Sequence, residues 1–370
     1  MTAELDRFGS RPPPGAPGPA VTVLAPLATP EERSDLERSE AATIEVFDAV
    51  TRVSGPSGHQ LVPLRRLAQP GPYHSSARRS VEMLDATTLE DVAAALGQNV
   101  SRIVHAVGWE AGVVASALRS SHGEDIQVVL EPLGAPGSPE WTLADHASVM
   151  LVQSESHRRE VLRHGVPRAV TRVVPLASPY CPEPVAWSDE GDEGRLIGIV
   201  GDGVDPLLLE AVEALLRDNP SVHVVFAGAA ARLVRGRNLA IAARRWPVAQ
   251  QARMHSASRV TWQLLARVDA VLDVCGHTTT PRATLAALGA GRAVVAVSRH
   301  PAAELVENGT SGVVVPLVDR TRFPAALSEL LGSASSLSMM GAAARERWES
   351  DHSPTVRAQR LAAVYDSLVR

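Results

Sequence analysis

Arg282 is the residue in this 370-residue chain best suited to anion chemistry. It stands just after Thr278-Thr279-Thr280-Pro281, where a helix is expected to begin. A guanidinium there can pair with two phosphate oxygens at once, beside amides and a helix dipole that favour the same anion. The three threonines can add hydroxyl contacts, or Thr280 can simply cap the helix. Gly201 and Gly203 lie in the loop Gly201-Asp202-Gly203-Val204-Asp205-Pro206. They permit either close backbone approach to a ligand or a tight turn, although the two aspartates would repel an anion. His105 ends the run Ile103-Val104-His105-Ala106 and can hydrogen-bond a hydroxyl or sugar, unless it is structural. Glu131, at the end of the next apolar run, offers a carboxylate at a strand end. Trp109 offers a stacking surface or a core contact. Arg232, Arg235 and the pair Arg299-His300 follow other strand ends as further cations. No metal site is expected, because Cys181, Cys275 and the 12 histidines show no ligand spacing. There is also no phosphate-binding P-loop and no serine nucleophile elbow.

These groups need a scaffold, and the apolar pattern supplies one. Short apolar runs at 21–26, 59–64, 102–107, 127–131, 148–153 and 172–176 read as strands. Helical patterns fall between them near 30–52, 76–97, 109–121 and 155–164. A second series has strands at 196–200, 222–227, 270–274, 293–297 and 312–315, with helices near 205–217, 258–267, 281–289, 322–332 and 336–348. Gly289 and Gly291 are expected to end the helix that begins at Thr280-Pro281. Strands alternating with helices at this spacing imply doubly wound parallel sheets. The Pro-rich and acidic segment from Pro179 through the run SDEGDEG is the best linker in the chain. Residues 1–19 are rich in Pro and Gly and are expected to be a disordered tail.

Composition narrows the function classes. A mass of 39.2 kDa is enough for two ordinary domains. A net charge of -5 and a pI near 6.2 give no footprint for nucleic acid. No run approaches the length of a membrane span, and the N-terminus lacks a hydrophobic signal core. With only 2 cysteines, the chain suits a reducing compartment. The expected location is the cytoplasm, including a peripheral place at the inner membrane face. All 36 basic residues are arginine, so no lysine can act as phosphate contact, base or Schiff-base former.

Three runs carry a family resemblance: Gly291-Arg292-Ala293-Val294-Val295, Glu304-Leu305-Val306-Glu307-Asn308-Gly309 and Gly312-Val313-Val314-Val315-Pro316. Together they resemble the donor-sugar half of the retaining, nucleotide-sugar-dependent glycosyltransferases of family 4. The run from Ala144-Asp145 to Ser156, and Arg163-His164-Gly165-Val166-Pro167 with Arg172-Val173-Val174-Pro175, resemble the close of that family's acceptor domain. His105-Ala106-Val107-Gly108-Trp109 is similar to another of its strand ends.

The resemblance implies an α/β GT-B fold, with two Rossmann-like doubly wound domains facing a cleft. The implied divisions are an acceptor domain at 20–182, a donor domain at 183–352 and a crossover helix at 353–370 returning to the first domain. It implies transfer of a sugar from a nucleotide-diphosphate sugar, with retention, to a glycan, lipid or small molecule. No cofactor beyond that co-substrate is implied. His105 and Glu131 would serve catalysis, and Gly201, Gly203, Thr278, Thr279, Thr280 and Arg282 would bind the donor. The family's two acidic donor positions fall on Thr278 and Ala286, and its basic pair after the second domain's first strand is missing. A GT-B pseudoenzyme acting as a binding or partner subunit is therefore the alternative, and a protein partner or homo-oligomer is expected under either reading.

Overall fold

A computed structural model describes residues 21–27, 60–65, 100–132, 139–178, 195–200, 206–226, 252–254, 262–273, 281–298, 301–316, 322–331 and 333–369. The expected tail, the helices at 30–52 and 76–97, and the linker lie outside them. The chain divides into two compact units, residues 1–176 with 354–370, and residues 177–353.

The first unit holds strands β1 (Val21–Leu27), β2 (Gln60–Arg65), β3 (Ile103–Val107), β4 (Gln127–Glu131), β5 (Val149–Val152) and β6 (Thr171–Val173). They form one parallel sheet in the order β2-β1-β3-β4-β5-β6. Every residue of β3 and β5 is buried, as a strand covered on both faces requires. Alternation sorts the side chains between two layers. Val104, Ala106, Val128 and Leu130 pack with Val114 and Leu118 of α1 (Gly108–His122). Ile103, Val107 and Val129 face the other way, against Ala358, Leu361, Val364 and Tyr365 of the C-terminal helix. Helix α2 (Glu155–Arg163) starts at Ser154, whose hydroxyl accepts the His157 amide at 3.1 Å.

The second unit has β7 (Arg195–Val200), β8 (Val222–Phe226), β9 (Ala252–Met254), β10 (Ala270–Asp273), β11 (Ala293–Val297) and β12 (Gly312–Val315). The sheet is again parallel, ordered β12-β11-β10-β7-β8-β9. Around it lie α3 (Pro206–Asp218), α4 (Trp262–Arg267), α5 (Arg282–Gly289), α6 (Pro301–Leu305), α7 (Arg322–Leu331) and α8 (Ala334–Arg347). The short strand β9 was not anticipated from the sequence. With Arg253 as the middle of its three residues, it has no apolar run to announce it.

Two glycines matter here. Gly291 has φ +68°, and the chain around it closes α5 with paired bonds: Gly291 N–H to Leu288 O and Arg292 N–H to Ala287 O, both 2.9 Å. That is the left-handed C-terminal cap expected of a glycine at this place. Pro281, expected in the first turn, is instead the N-cap residue. Gly312 stands opposite Val294 between β11 and β12, where an added Cβ would lie 2.0 Å from the Val294 carbonyl oxygen. Gly312→Ala should therefore destabilise the second unit by at least about 2 kcal/mol. A urea midpoint equal to that of the unsubstituted chain would contradict this.

Helix α9 (Pro354–Val369) completes the first unit. Arg357, Ala358, Leu361, Val364 and Tyr365 are its buried positions, a stripe at helical spacing. Two of those five are polar.

Candidate functional site

In open α/β sheets, ligands bind outside the carboxyl ends of the strands, where the strand order reverses. In the second unit that point lies between β7 and β10, the neighbours from which the sheet grows in opposite directions. Val200, last in β7, pairs in register with Asp273, last in β10. The chain leaves β7 into Gly201 and Gly203, and leaves β10 towards Thr278, Thr279 and Thr280; all five lie outside the described residues, as do Arg232, Arg235, Arg299 and His300. It returns at Arg282, the half-buried first residue of α5. The ends of β7 and β10 thus lie side by side at one sheet edge.

The sequence reading missed two residues at this edge. Asp273 and Thr284 are both fully buried, and the Thr284 hydroxyl donates to the Asp273 carboxylate. Alternation places Asp273 on the same face as Val271, which packs against Ala287 and Leu288 of α5. A polar residue closing an otherwise apolar strand was the signal. Residue Ala286, at one of the family's acidic positions, packs against that apolar layer.

In the first unit the order reverses between β1 and β3. Trp109 follows β3 and is 36% exposed, so a surface is available for stacking. His105 and Glu131 come together here, but beneath the surface. They are 0% and 2% exposed, alongside Arg357 and Tyr365 of α9 at 1% each. Their place follows from parity. Residues 103, 105 and 107 of β3, and 129 and 131 of β4, all face α9.

The four side chains form one network. An Nη nitrogen of Arg357 donates to both Glu131 carboxylate oxygens, at 2.7 and 2.8 Å. Its other terminal nitrogen donates to the Pro175 carbonyl at 2.9 Å. His105 Nδ1 and the Tyr365 hydroxyl share a hydrogen bond of 2.6 Å. His105 Nε2 lies 3.3 Å from Glu131 Oε2, close enough for charge attraction but without hydrogen-bond alignment. Burial alone would raise the Glu131 carboxyl; the Arg357 guanidinium, with help from His105, more than offsets that and holds it at about 2. Burial, and then the Glu131 charge, push the Tyr365 phenol well above its ordinary range. Glu131 is therefore a carboxylate and Tyr365 a neutral phenol at every physiological pH. Arg357 and Tyr365 were legible only as an arginine and a tyrosine in the apolar stripe of the last helix.

Among the described residues, no group of three or more His, Cys, Asp or Glu could hold a metal ion. No described helix is long and apolar enough to cross a membrane.

Residues 194–333, which contain the second unit's switch point, match the model of the family Glycosyl transferases group 1. No curated protein matches the chain by sequence. Among solved structures, sucrose-phosphate synthase from Thermosynechococcus elongatus is 14% identical with a TM-score of 0.69, covering 95% of this chain and 99% of its own. HepE from Anabaena, in complex with UDP, is 15% identical with a TM-score of 0.65, covering 94% and 100%. A glycosyltransferase from Rickettsia africae ESF-5 is 12% identical with a TM-score of 0.70, covering 95% and 99%. The fold is α/β and of the GT-B type.

Proposed function

We propose that this protein transfers a sugar from a nucleotide-diphosphate sugar to an acceptor, with retention, and that the donor binds at the carboxyl edge of the second unit's sheet. One observation carries the reading: the strand-order reversal between β7 and β10 falls inside the segment matching the glycosyltransferase family, with Arg282 opening the next helix. The structurally similar HepE was solved with UDP, which supports a nucleotide donor. The acceptor, a glycan, lipid or small molecule, belongs to the first unit, with Trp109 as a stacking surface beside it.

Departure of the diphosphate concentrates negative charge on the bridging oxygen, and fixed cations and amides aimed there lower the barrier. Arg282 supplies the guanidinium and the first turn of α5 supplies amides. The hydroxyls of Thr278, Thr279 and Thr280 and the Gly201 and Gly203 backbone complete the donor contacts. His105 and Glu131 act as positioning residues, holding the ends of β3 and β4 beneath the acceptor surface.

A second reading, a catalytically silent GT-B subunit, is favoured by one observation. His105 and Glu131 are buried and bonded to Tyr365 and Arg357 of α9, an arrangement that supports a structural role for both. Nucleotide binding separates active donor chemistry from a scaffold that has lost it. A nucleotide at a hundred times its Kd should stabilise the protein by about 2.7 kcal/mol, readable as a melting shift across a panel of nucleoside diphosphates and their sugars. If none shifts the melting temperature, the donor reading fails. Arg282→Ala should weaken the best ligand about 10- to 100-fold, the loss of a charge-assisted contact of roughly 1.5–3 kcal/mol. Equal calorimetric affinity would remove Arg282 from the site.

A further inference from the structure

We propose that Asp273 and Thr284 are a positioning pair for the donor diphosphate. The hydroxyl–carboxylate bond between them fixes the first turn of α5, and with it Arg282, against the carboxyl edge of the second sheet. This inference rests on the donor reading above.

Asp273 ends β10, where the register partners on either side are the apolar Val200 and Ala296. A fully buried carboxylate among such neighbours is costly unless it is bonded. It is bonded to Thr284, itself fully buried and two residues beyond Arg282, a rise of about 3 Å along the helix. The β-branched threonine is stiff about its first side-chain torsion, so the bond constrains backbone as well as side chain. Strand β10 is a rigid anchor, bonded along both edges by β7 and β11.

The far end of α5 is fixed too. An Arg345 Nη nitrogen donates to the Gly289 carbonyl at 2.5 Å, and Arg345 stacks over the Trp348 ring at 4.7 Å. A helix of eight residues is thus pinned at both ends by side chains. That rigidity suits a short helix whose task is to hold one cation in place, because binding groups need support from a second layer of contacts.

The test is calorimetric titration of the full chain with UDP, GDP and ADP, using whichever binds most tightly. Thr284→Val should raise its Kd about tenfold, equivalent to about 1.4 kcal/mol, while Thr284→Ser stays within about twofold. Thr284→Ala repeats the measurement if the valine variant does not fold. In an Arg282→Ala background, Thr284→Val should add little, since the pair acts through Arg282. A buried bond with a merely structural role would lower the melting temperature and leave the Kd unchanged. Unaltered affinity in Thr284→Val, serine as weak as valine, or full additivity with Arg282→Ala would each overturn the pairing. If the unsubstituted protein binds no nucleoside diphosphate, the donor reading falls and this inference with it. If it binds and only the Thr284 effects are missing, the donor reading stands.

Discussion

Arg357→Met should destabilise the first unit by about 3–5 kcal/mol, because it leaves the Glu131 carboxylate buried and without its cation. Arg357 also holds the Pro175 carbonyl, so the same change breaks a tie to the segment after β6. The measurement is hydrogen exchange of β3 and β4 amides across a urea series, which reads the first unit alone. A companion double variant, Arg357→Met with Glu131→Gln, should lose much less than the sum of the two single changes. Removing both charges removes the penalty of stranding one of them. Protection within about 1 kcal/mol of the unsubstituted protein in Arg357→Met would show that stranding Glu131 carries no such penalty.

Acid should undo the same network. The Glu131 carboxyl titrates at about 2 in the folded chain against an ordinary 4.5, so it is depressed by folding. A depressed carboxyl favours the folded state above the unfolded value and loses that advantage as pH falls through the folded one. The contribution, roughly 3 kcal/mol, is complete above about pH 5 and fades between about 4.5 and 2. Arg357 is the main cause of the depression, so it sets the size of the effect. Urea midpoints of the unsubstituted chain and Glu131→Gln, measured from pH 7 to pH 3, should converge as the pH drops. A gap that stays constant would mean that Glu131 does not titrate between its folded and unfolded values.

The sequence made the sheets legible because parallel strands covered on both faces are nearly pure apolar runs. The run Ala293–Val297 and the run Gln127–Glu131 appear in the structure with their expected ends. The cap at Gly291 was equally legible, since only a residue tolerant of positive φ closes a helix in that way. The site was less so. His105 and Glu131 stand out in sequence as chemistry-bearing residues at strand ends, but the face each presents depends on the register between β3 and β4, which no local pattern carries. Arg357 lies 226 positions from Glu131 in sequence, and no local pattern joins them. The Asp273–Thr284 pair spans only 11 positions but joins a strand to a helix, so neither period reveals it.

Helix α9 also has a consequence in time. The first unit is discontinuous, since its strands are made before residue 177 and its last helix only after residue 353. As the chain emerges during synthesis, the whole second unit, continuous from 177 to 353, can fold while the first still lacks a wall. Until α9 arrives, Val21, Val23, Ile103 and Val129 lack the cover of Ala358, Leu361, Val364 and Tyr365, and the Glu131 carboxylate lacks Arg357. A segment made after residue 353 is therefore the one that covers this apolar sheet face and pairs its buried charge. A nascent chain stalled before Arg357 carries that exposed face for as long as it waits.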